Sequence, residues 1–437
     1  MTEMPRKTVA RTARLASIPL GVAGRAVGGW GKRLAGQSAD KVSAELSART
    51  AEQVFAVLGQ LKGGAMKFGQ ALSVFEAAVP DELAEPYREA LTRLQSAAPP
   101  MSASTMHRVL AQQLGSGWRK RFTEFDDQPA AAASIGQVHR AVWHDGREVA
   151  VKVQYPGADE ALLSDLRQLQ RFSKLFQPLV PGMEIKPLLR ELADRMVEEL
   201  DYRAEAENQR TFAKAFAGDP HVLVPRVVAS APKVTVTEWV AGKPLSEIIR
   251  AGGRAERDGA GKLLCEFHFS SPARVGLLHS DPHPGNFMIT PDGRLCVIDF
   301  GAVARLPEGL PRPLGVMTRL SIEGRSADLL RLMRDEGFVR AGMELDAEDV
   351  LAYLAPFAEP AAVETFHFSR RWMQRQAERV GGGQDFKTGR SLNLPPQYLL
   401  IQRVTAGATG ILCQLDAHFS MRPIISRWQP GFADEAA

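Results

Sequence analysis

The eight residues His279-Ser-Asp-Pro-His-Pro-Gly-Asn286, followed by Val297-Ile-Asp-Phe-Gly301, restrict this chain more than any other stretch. Asp281 and Asn286 are five apart, and Asp299 lies thirteen beyond Asn286. Pro282 and Pro284 fix φ, and Gly285 lets the backbone turn tightly before Asn286. Asp-Pro and Pro-Gly also occur in ordinary turns. What argues for more than a turn is the second carboxylate, Asp299, at the end of the apolar run that begins at Leu295. One carboxylate of such a set can orient the proton of an attacking hydroxyl. The amide oxygen and the other carboxylate suit Mg²⁺, which takes hard oxygen ligands and keeps some of its water.

Composition bounds the answer without naming it. The 437 residues suffice for two or three packing units with a large core. At 45% hydrophobic and 24% charged residues the chain reads as an ordinary globular protein, and a net charge of +4 is too small to imply a nucleic acid partner. Cys265, Cys296 and Cys413 are scattered and odd in number, which fits a reducing cytoplasm and no disulfide framework. No apolar run reaches the roughly 18–20 residues that span a bilayer. The nearest, Tyr398 to Leu415, is broken by Gln402, Arg403 and Gln414.

Residues 1–36 form a basic arm, with Arg6, Lys7, Arg11, Arg14, Arg25, Lys32 and Arg33 against Glu3. It reads either as a solvated tail or as a segment lying on an anionic membrane surface, which would place the protein peripherally on the inner face. Residues 37–117 follow as a helical extension, with Val54, Val57, Leu58, Leu61 and Ala65 at helical spacing. Ala98-Pro-Pro reads as a linker, and Ser102 or Ser104 as the cap of the next helix. Residues 118–240 turn to strand character: Phe122–Phe125, Gly136–Trp143 and Glu148–Gln154 alternate with period two, and Asp145-Gly146 forms a hairpin tip. A helical pattern covers 159–176 and 186–216, and strands are expected at Val222–Val224 and Val234–Trp239. Residues 241–437 are mostly helical, save the short runs at Phe287–Thr290 and Leu295–Asp299.

A strand-rich half followed by a helix-rich half, with chemistry near their junction, resembles the bilobal layout of protein kinases. The predicted class is therefore α+β, a protein-kinase-like fold with an N-terminal helical extension. The spacing of Asp281, Asn286 and Asp299 is that of a kinase catalytic loop and its metal-binding Asp. Val149-Ala-Val-Lys152 resembles the strand whose lysine contacts nucleotide phosphates, although a lone lysine on a strand is usually solvated. Ala130-Ala-Ala-Ala-Ser134 stands where such a kinase has its Gly-rich loop, and its Cβ atoms make the loop stiffer. A lysine of this kind needs a carboxylate from a helix. Glu199 and Glu205 are six apart, about 240° around a helix, so they cannot share one partner. Glu205 is favoured for Lys152 over Glu199.

Together, Lys67-Phe-Gly69-Gln70, the Ala-rich loop, Lys152 with Val-Gln-Tyr-Pro-Gly157, Glu199-Leu-Asp201-Tyr, Glu205-Ala-Glu-Asn208 and the His279–Asn286 loop resemble the UbiB/ADCK family of atypical kinases. The match runs from about residue 50 to 310. The resemblance implies ATP and Mg²⁺ as cofactors, Asp281 and Lys152 as catalytic residues, and Asn286 and Asp299 as metal ligands. It implies nucleotide contacts from Ala131, Ala132, Ala133 and Ser134, from Lys152 and Glu205, and from Glu238 and Val240 at the adenine hinge. Lys67, Gly69 and Gln70 would fold over the site and meet Glu199 and Asp201, restraining protein-kinase activity. A role in isoprenoid quinone biosynthesis, or lipid homeostasis, with a quinone precursor or lipid as partner, follows from the same likeness. Two other readings stay open: a small-molecule phosphotransferase of the aminoglycoside or choline kinase kind, and a nucleotide-regulated lipid-binding scaffold.

Overall fold

The computed structural model describes residues 100–133, 135–160, 200–340, 342–382 and 386–433. The chain divides into two compact units. Among the described residues the first holds 100–206 and 227–239, and the second holds 207–226 and 240–433.

The first unit is built on an antiparallel sheet. Its strands run in the order Phe122–Phe125, Gly136–Trp143, Glu148–Gln154, Val234–Glu238 and Val227–Ala231. Period-two alternation decides which face is which. Val149, Val151 and Val153 are fully buried together with Val234 and Val236. They pack with Met106, Val109 and Leu110 of the helix Ala103–Leu114 and with Trp118. Of the two serines predicted as caps, Ser102 does the work, its Oγ accepting from Thr105 N at 3.3 Å. On the other face, Lys152 lies opposite Val138 on one neighbouring strand and Thr235 on the other.

The hairpin between Trp143 and Glu148 turns at Gly146, with φ of 89° and its N–H bonded to Trp143 O at 2.8 Å. Two buried polar residues of the Gly136–Trp143 strand satisfy each other: Gln137 Nε2 donates to His139 Nε2 at 2.8 Å, and His139 Nδ1 donates to Asp126 O at 2.8 Å. That removes the cost of burying unpaired amide and imidazole groups.

Two expectations need correction, and one strand was not expected at all. The Ala-rich segment reads as a loop, yet Ala131–Ala133 is a strand, pairing with Val138, Gln137 and Gly136. The backbone partner next door supplies what alanine's weak strand propensity does not. Val227–Ala231 is a strand that the sequence pattern does not reveal, because Val-Val-Ala-Ser-Ala lacks alternation. The helix expected over 186–216 begins afresh at Tyr202 within the described residues, because Asp201 Oδ1 accepts from Arg203 N at 3.0 Å and Ala204 N at 3.4 Å. A carboxylate in that position satisfies the first N–H groups of a new helix.

The second unit is mainly helical. Arg254–Val275 and Pro396–Leu415 are its long helices, and both feed a core with Phe212, Phe267, Phe287, Phe300 and Phe419. The apolar run at 398–415 is thus a helix with one face in this core, Leu399 standing exposed, and among the described residues no helix is long and apolar enough to cross a membrane. Gly276, at φ 69°, ends the first long helix and turns the chain into the strand Leu277–His279. A four-stranded sheet orders Val222–Leu223, Leu295–Val297, Phe287–Ile289 and Lys243–Pro244. Cys265, Cys296 and Cys413 are buried and free, and burial pushes the Cys296 and Cys413 thiols up to about 12, so neither is a thiolate at neutral pH.

Leu110 is fully buried at the centre of the helix-to-sheet contact. Leu110→Ala should destabilise the protein by about 3 kcal/mol, through lost transfer energy and the cavity left behind. Urea unfolding should show a lower midpoint with an unchanged slope.

Candidate active site

The first unit presents a cation and its brace. Lys152 Nζ lies 2.7 Å from Glu205 Oε1 and 3.0 Å from Oε2, so both carboxylate oxygens are engaged. Lys152 is 16% exposed and Glu205 4%, which leaves the ammonium side partly open and the carboxylate buried. The register of the sheet sets where Lys152 emerges. The Asp201 cap sets where Glu205 falls, one turn into the helix Tyr202–Ala215. Gln154, two residues on and on the same strand face, donates through Nε2 to Leu200 O at 3.1 Å and holds the turn before that helix.

Of the remaining residues expected on this side, Ala131, Ala132 and Ala133 lie on the strand opposite Gly136–Val138. Glu238 ends its strand opposite Val149, and Trp239 N donates to Glu148 O at 2.9 Å. Asp201 caps the helix. Lys67, Gly69, Gln70, Ser134 and Glu199 lie outside the described residues.

The second unit carries the loop. Residues 280–286 connect the strands Leu277–His279 and Phe287–Ile289, and residues 298–302 connect Leu295–Val297 with Val303–Arg305. The four strands pair two by two: His279 with Val303, and Phe287 with Val297. The two loops are therefore pinned at both ends. Further bonds stitch them together. His279 Nε2 donates to Asp299 O at 2.7 Å, Ser280 N to Ala302 O at 3.0 Å, and Ile298 N to Asn286 O at 3.0 Å.

Within this frame each polar side chain is oriented. Asn286 is buried, and its Nδ2 donates to Asp281 O at 3.0 Å. That bond fixes the amide so that Oδ1 is the atom left for a cation. Asp299 Oδ1 accepts from Gly301 N at 3.0 Å, which sets the plane of its carboxylate. An amide oxygen and a carboxylate make a hard-oxygen pair that fits Mg²⁺, whose shell is completed by water and phosphate. Asp281 is half-buried, held by a loop whose backbone is bonded at Ser280, His283 and Asn286. Val240 begins the described part of this unit after the 207–226 segment.

Three braces come from residues that the sequence motifs contain but to which the sequence reading assigns no bond. His279 sits among Phe267, Phe287 and Phe300, with ring centroids 5.4–5.9 Å away, and carries the bond to Asp299 O. Asn208 Nδ2 donates to Phe300 O at 3.1 Å. Gly285 N donates to His283 Nδ1 at 3.1 Å, capping the short turn before Asn286. The one available signal was Asn208 itself, a poor helix former inside a helix, three residues after Glu205.

Two outcomes follow from this geometry. Glu205→Ala removes the buried carboxylate that engages the partly buried ammonium of Lys152, and should cost about 3 kcal/mol in urea unfolding, with Glu205→Gln less damaging. His268 is buried on the helix Arg254–Val275, and burial, with the neighbouring charge of His279, lowers its pKa from 6.5 to about 4. The unfolded chain therefore binds this proton at higher pH than the native one, and stability falls as pH drops from 6.5 towards 4. The slope should approach about 1 kcal/mol per pH unit and flatten in His268→Gln.

Comparison with known proteins agrees with this architecture. A model of the ABC1 atypical kinase-like domain matches residues 93–319. The chain is 29% identical over 432 residues to atypical kinase COQ8B, mitochondrial, of Danio rerio, covering 96% of this chain and 68% of that protein. It is 30% identical over 353 residues to atypical kinase coq-8, mitochondrial, of Caenorhabditis elegans, and spans only 46% of that protein's length. Among solved structures, that of Rv3197 from Mycobacterium tuberculosis, in complex with erythromycin, is similar at 51% identity and a TM-score of 0.70, covering 91% of this chain and all of the other. Since the matched domain takes in more than half of the sequence, the chain belongs to the ABC1 family of atypical kinase-like proteins, the UbiB/ADCK group that its motifs resemble.

Proposed function

We propose that this protein is an ATP- and Mg²⁺-dependent atypical kinase or ATPase that supports isoprenoid quinone biosynthesis. The observation that carries the reading is the pinned pair of loops, which orients Asn286 Oδ1 and the Asp299 carboxylate through backbone bonds. In this reading Lys152, held by Glu205, binds nucleotide phosphate, as a strand lysine braced by a helix glutamate does in kinases. Asn286 and Asp299 hold the cation, which neutralises developing negative charge on phosphate. Asp281 orients the nucleophile's proton. Ala131–Ala133 line the nucleotide, and their strand pairing gives this edge less freedom than a glycine loop has. Glu238 and Val240 face the adenine through their backbone. Lys67, Gly69, Gln70, Glu199 and Asp201 restrain the site. The quinone role rests on the COQ8 relatives, and the basic arm at residues 1–36 supplies a peripheral contact with anionic lipid.

A second ligand class has its own support. The Mycobacterium tuberculosis relative was solved with erythromycin, and at 51% identity a macrolide is a reasonable ligand for this chain too. Erythromycin should raise the melting temperature of the purified protein if that ligand is shared, and leave it unmoved if it is not.

The central test is nucleotide binding. ATP with Mg²⁺ should stabilise the wild type against heat, and Asp299→Asn should abolish the Mg²⁺-dependent part. Asp281→Asn should keep that stabilisation and lose turnover by 100-fold or more, on the order of what general-base catalysis contributes. Undiminished stabilisation of Asp299→Asn by Mg²⁺-ATP would sink the assignment. ATPase rates with and without anionic liposomes and phenolic quinone precursors then test the partners.

A further inference from the structure

The Glu205 carboxylate is not the sole neighbour of the Lys152 ammonium. Nζ also stands 4.9 Å from the centroid of the Tyr202 ring, within the range of a cation–π interaction. Tyr202 is fully buried, and Glu205 lies three residues on in the same helix, so ring and carboxylate share one helix face.

The ring's place is built from several sides. The Asp201 cap makes Tyr202 the first residue of the helix. Its N–H donates to Pro232 O at 3.3 Å, and its carbonyl accepts from Thr235 Oγ1 at 3.4 Å, Thr235 being the strand partner of Lys152. Across from the ring's tip, a Cβ on Gly136 would come within 3.0 Å of the Tyr202 hydroxyl and 2.3 Å of Val153 O. Glycine there leaves room for the phenol where the Ala131–Ala133 strand meets its partner.

We propose that Tyr202 is a positioning residue for Lys152, its ring face and the Glu205 carboxylate together fixing the ammonium in one direction and keeping it charged for an anionic phosphate. The inference rests on the reading of Lys152 as the phosphate-binding lysine. The physical case is a division of labour. A carboxylate alone occupies N–H donors and pulls the ammonium towards itself. An aromatic face stabilises the charge through its quadrupole and leaves N–H donors for a ligand. A long lysine side chain, which loses much rotamer freedom on being fixed, is better held by two neighbours than by one.

The test uses the full-length protein without nucleotide. The acylation rate of Lys152 by acetic anhydride at pH 8, read by mass spectrometry, reports the share of neutral amine. Tyr202→Leu should raise that rate roughly five- to tenfold, since the charged form loses the ring's attraction, and Tyr202→Phe should match the wild type. Replacement of Tyr202 by pentafluorophenylalanine keeps the shape of Tyr202→Phe and reverses the quadrupole. It should behave as Tyr202→Leu, which a purely structural role for the ring would not produce. A pentafluorophenylalanine variant that acylates like Tyr202→Phe overturns the proposal, even if Tyr202→Leu fails to fold. Binding of a fluorescent ATP analogue with Mg²⁺ should weaken in the same order as acylation rises. Lys152→Met separates the two ideas: undiminished nucleotide affinity there overturns the phosphate-lysine reading, while the acylation series still judges the role of Tyr202.

Discussion

A partly buried ammonium facing a buried carboxylate is the constraint around which the first unit is organised. Removing Glu205 from water is costly, and the pair repays it only with good geometry. The geometry depends on features outside the ion pair itself. The Glu148–Gln154 strand must register so that Lys152 emerges opposite Val138 and Thr235. The helix must start at Tyr202, which Asp201 arranges, so that Glu205 falls one turn in. The valine face must be covered by Met106 and Leu110, since otherwise the sheet would not hold its register against water.

The second unit solves a different problem. Its polar side chains sit on loops, and loops are mobile unless tied. Here two short antiparallel ladders grip both loops at their bases, and the His279 imidazole reaches from one loop's entry to the other's Asp299 carbonyl. Three phenylalanine rings hold that imidazole. Orientation comes from backbone bonds and aromatic packing. His268 shows the cost: burial disfavours its charged imidazole, so acid works against this packing.

Much of this was legible from residue order. The strands Gly136–Trp143 and Glu148–Gln154 appear with the bounds that alternation predicts, and the Asp-Gly turn between them is where it should be. Angular spacing ruled out only that Glu199 and Glu205 share Lys152; Glu205 was the favoured one of the two, and it is the carboxylate at 2.7 Å. Where the reading missed, the cause is non-local. Ala131–Ala133 is a strand because a neighbour offers hydrogen bonds. Val227–Ala231 is a strand because Val234–Glu238 lies beside it. The new helix start at Tyr202 depends on a side chain, Asp201, turning back on the backbone that follows.

The sequence by itself determined the chemistry available: which carboxylates, amide and lysine exist, their order, and their spacing along loops and strands. Those follow from residue identity and local periodicity, which do not change with tertiary contacts. Only the tertiary structure decided how the groups are held. The seat of Lys152 against Tyr202, the room that Gly136 leaves for the phenol, and the bond from Asn208 to Phe300 join residues 50, 66 and 92 positions apart. Such contacts come from packing and hydrogen-bond satisfaction in a closed core, and no window along the chain contains both partners.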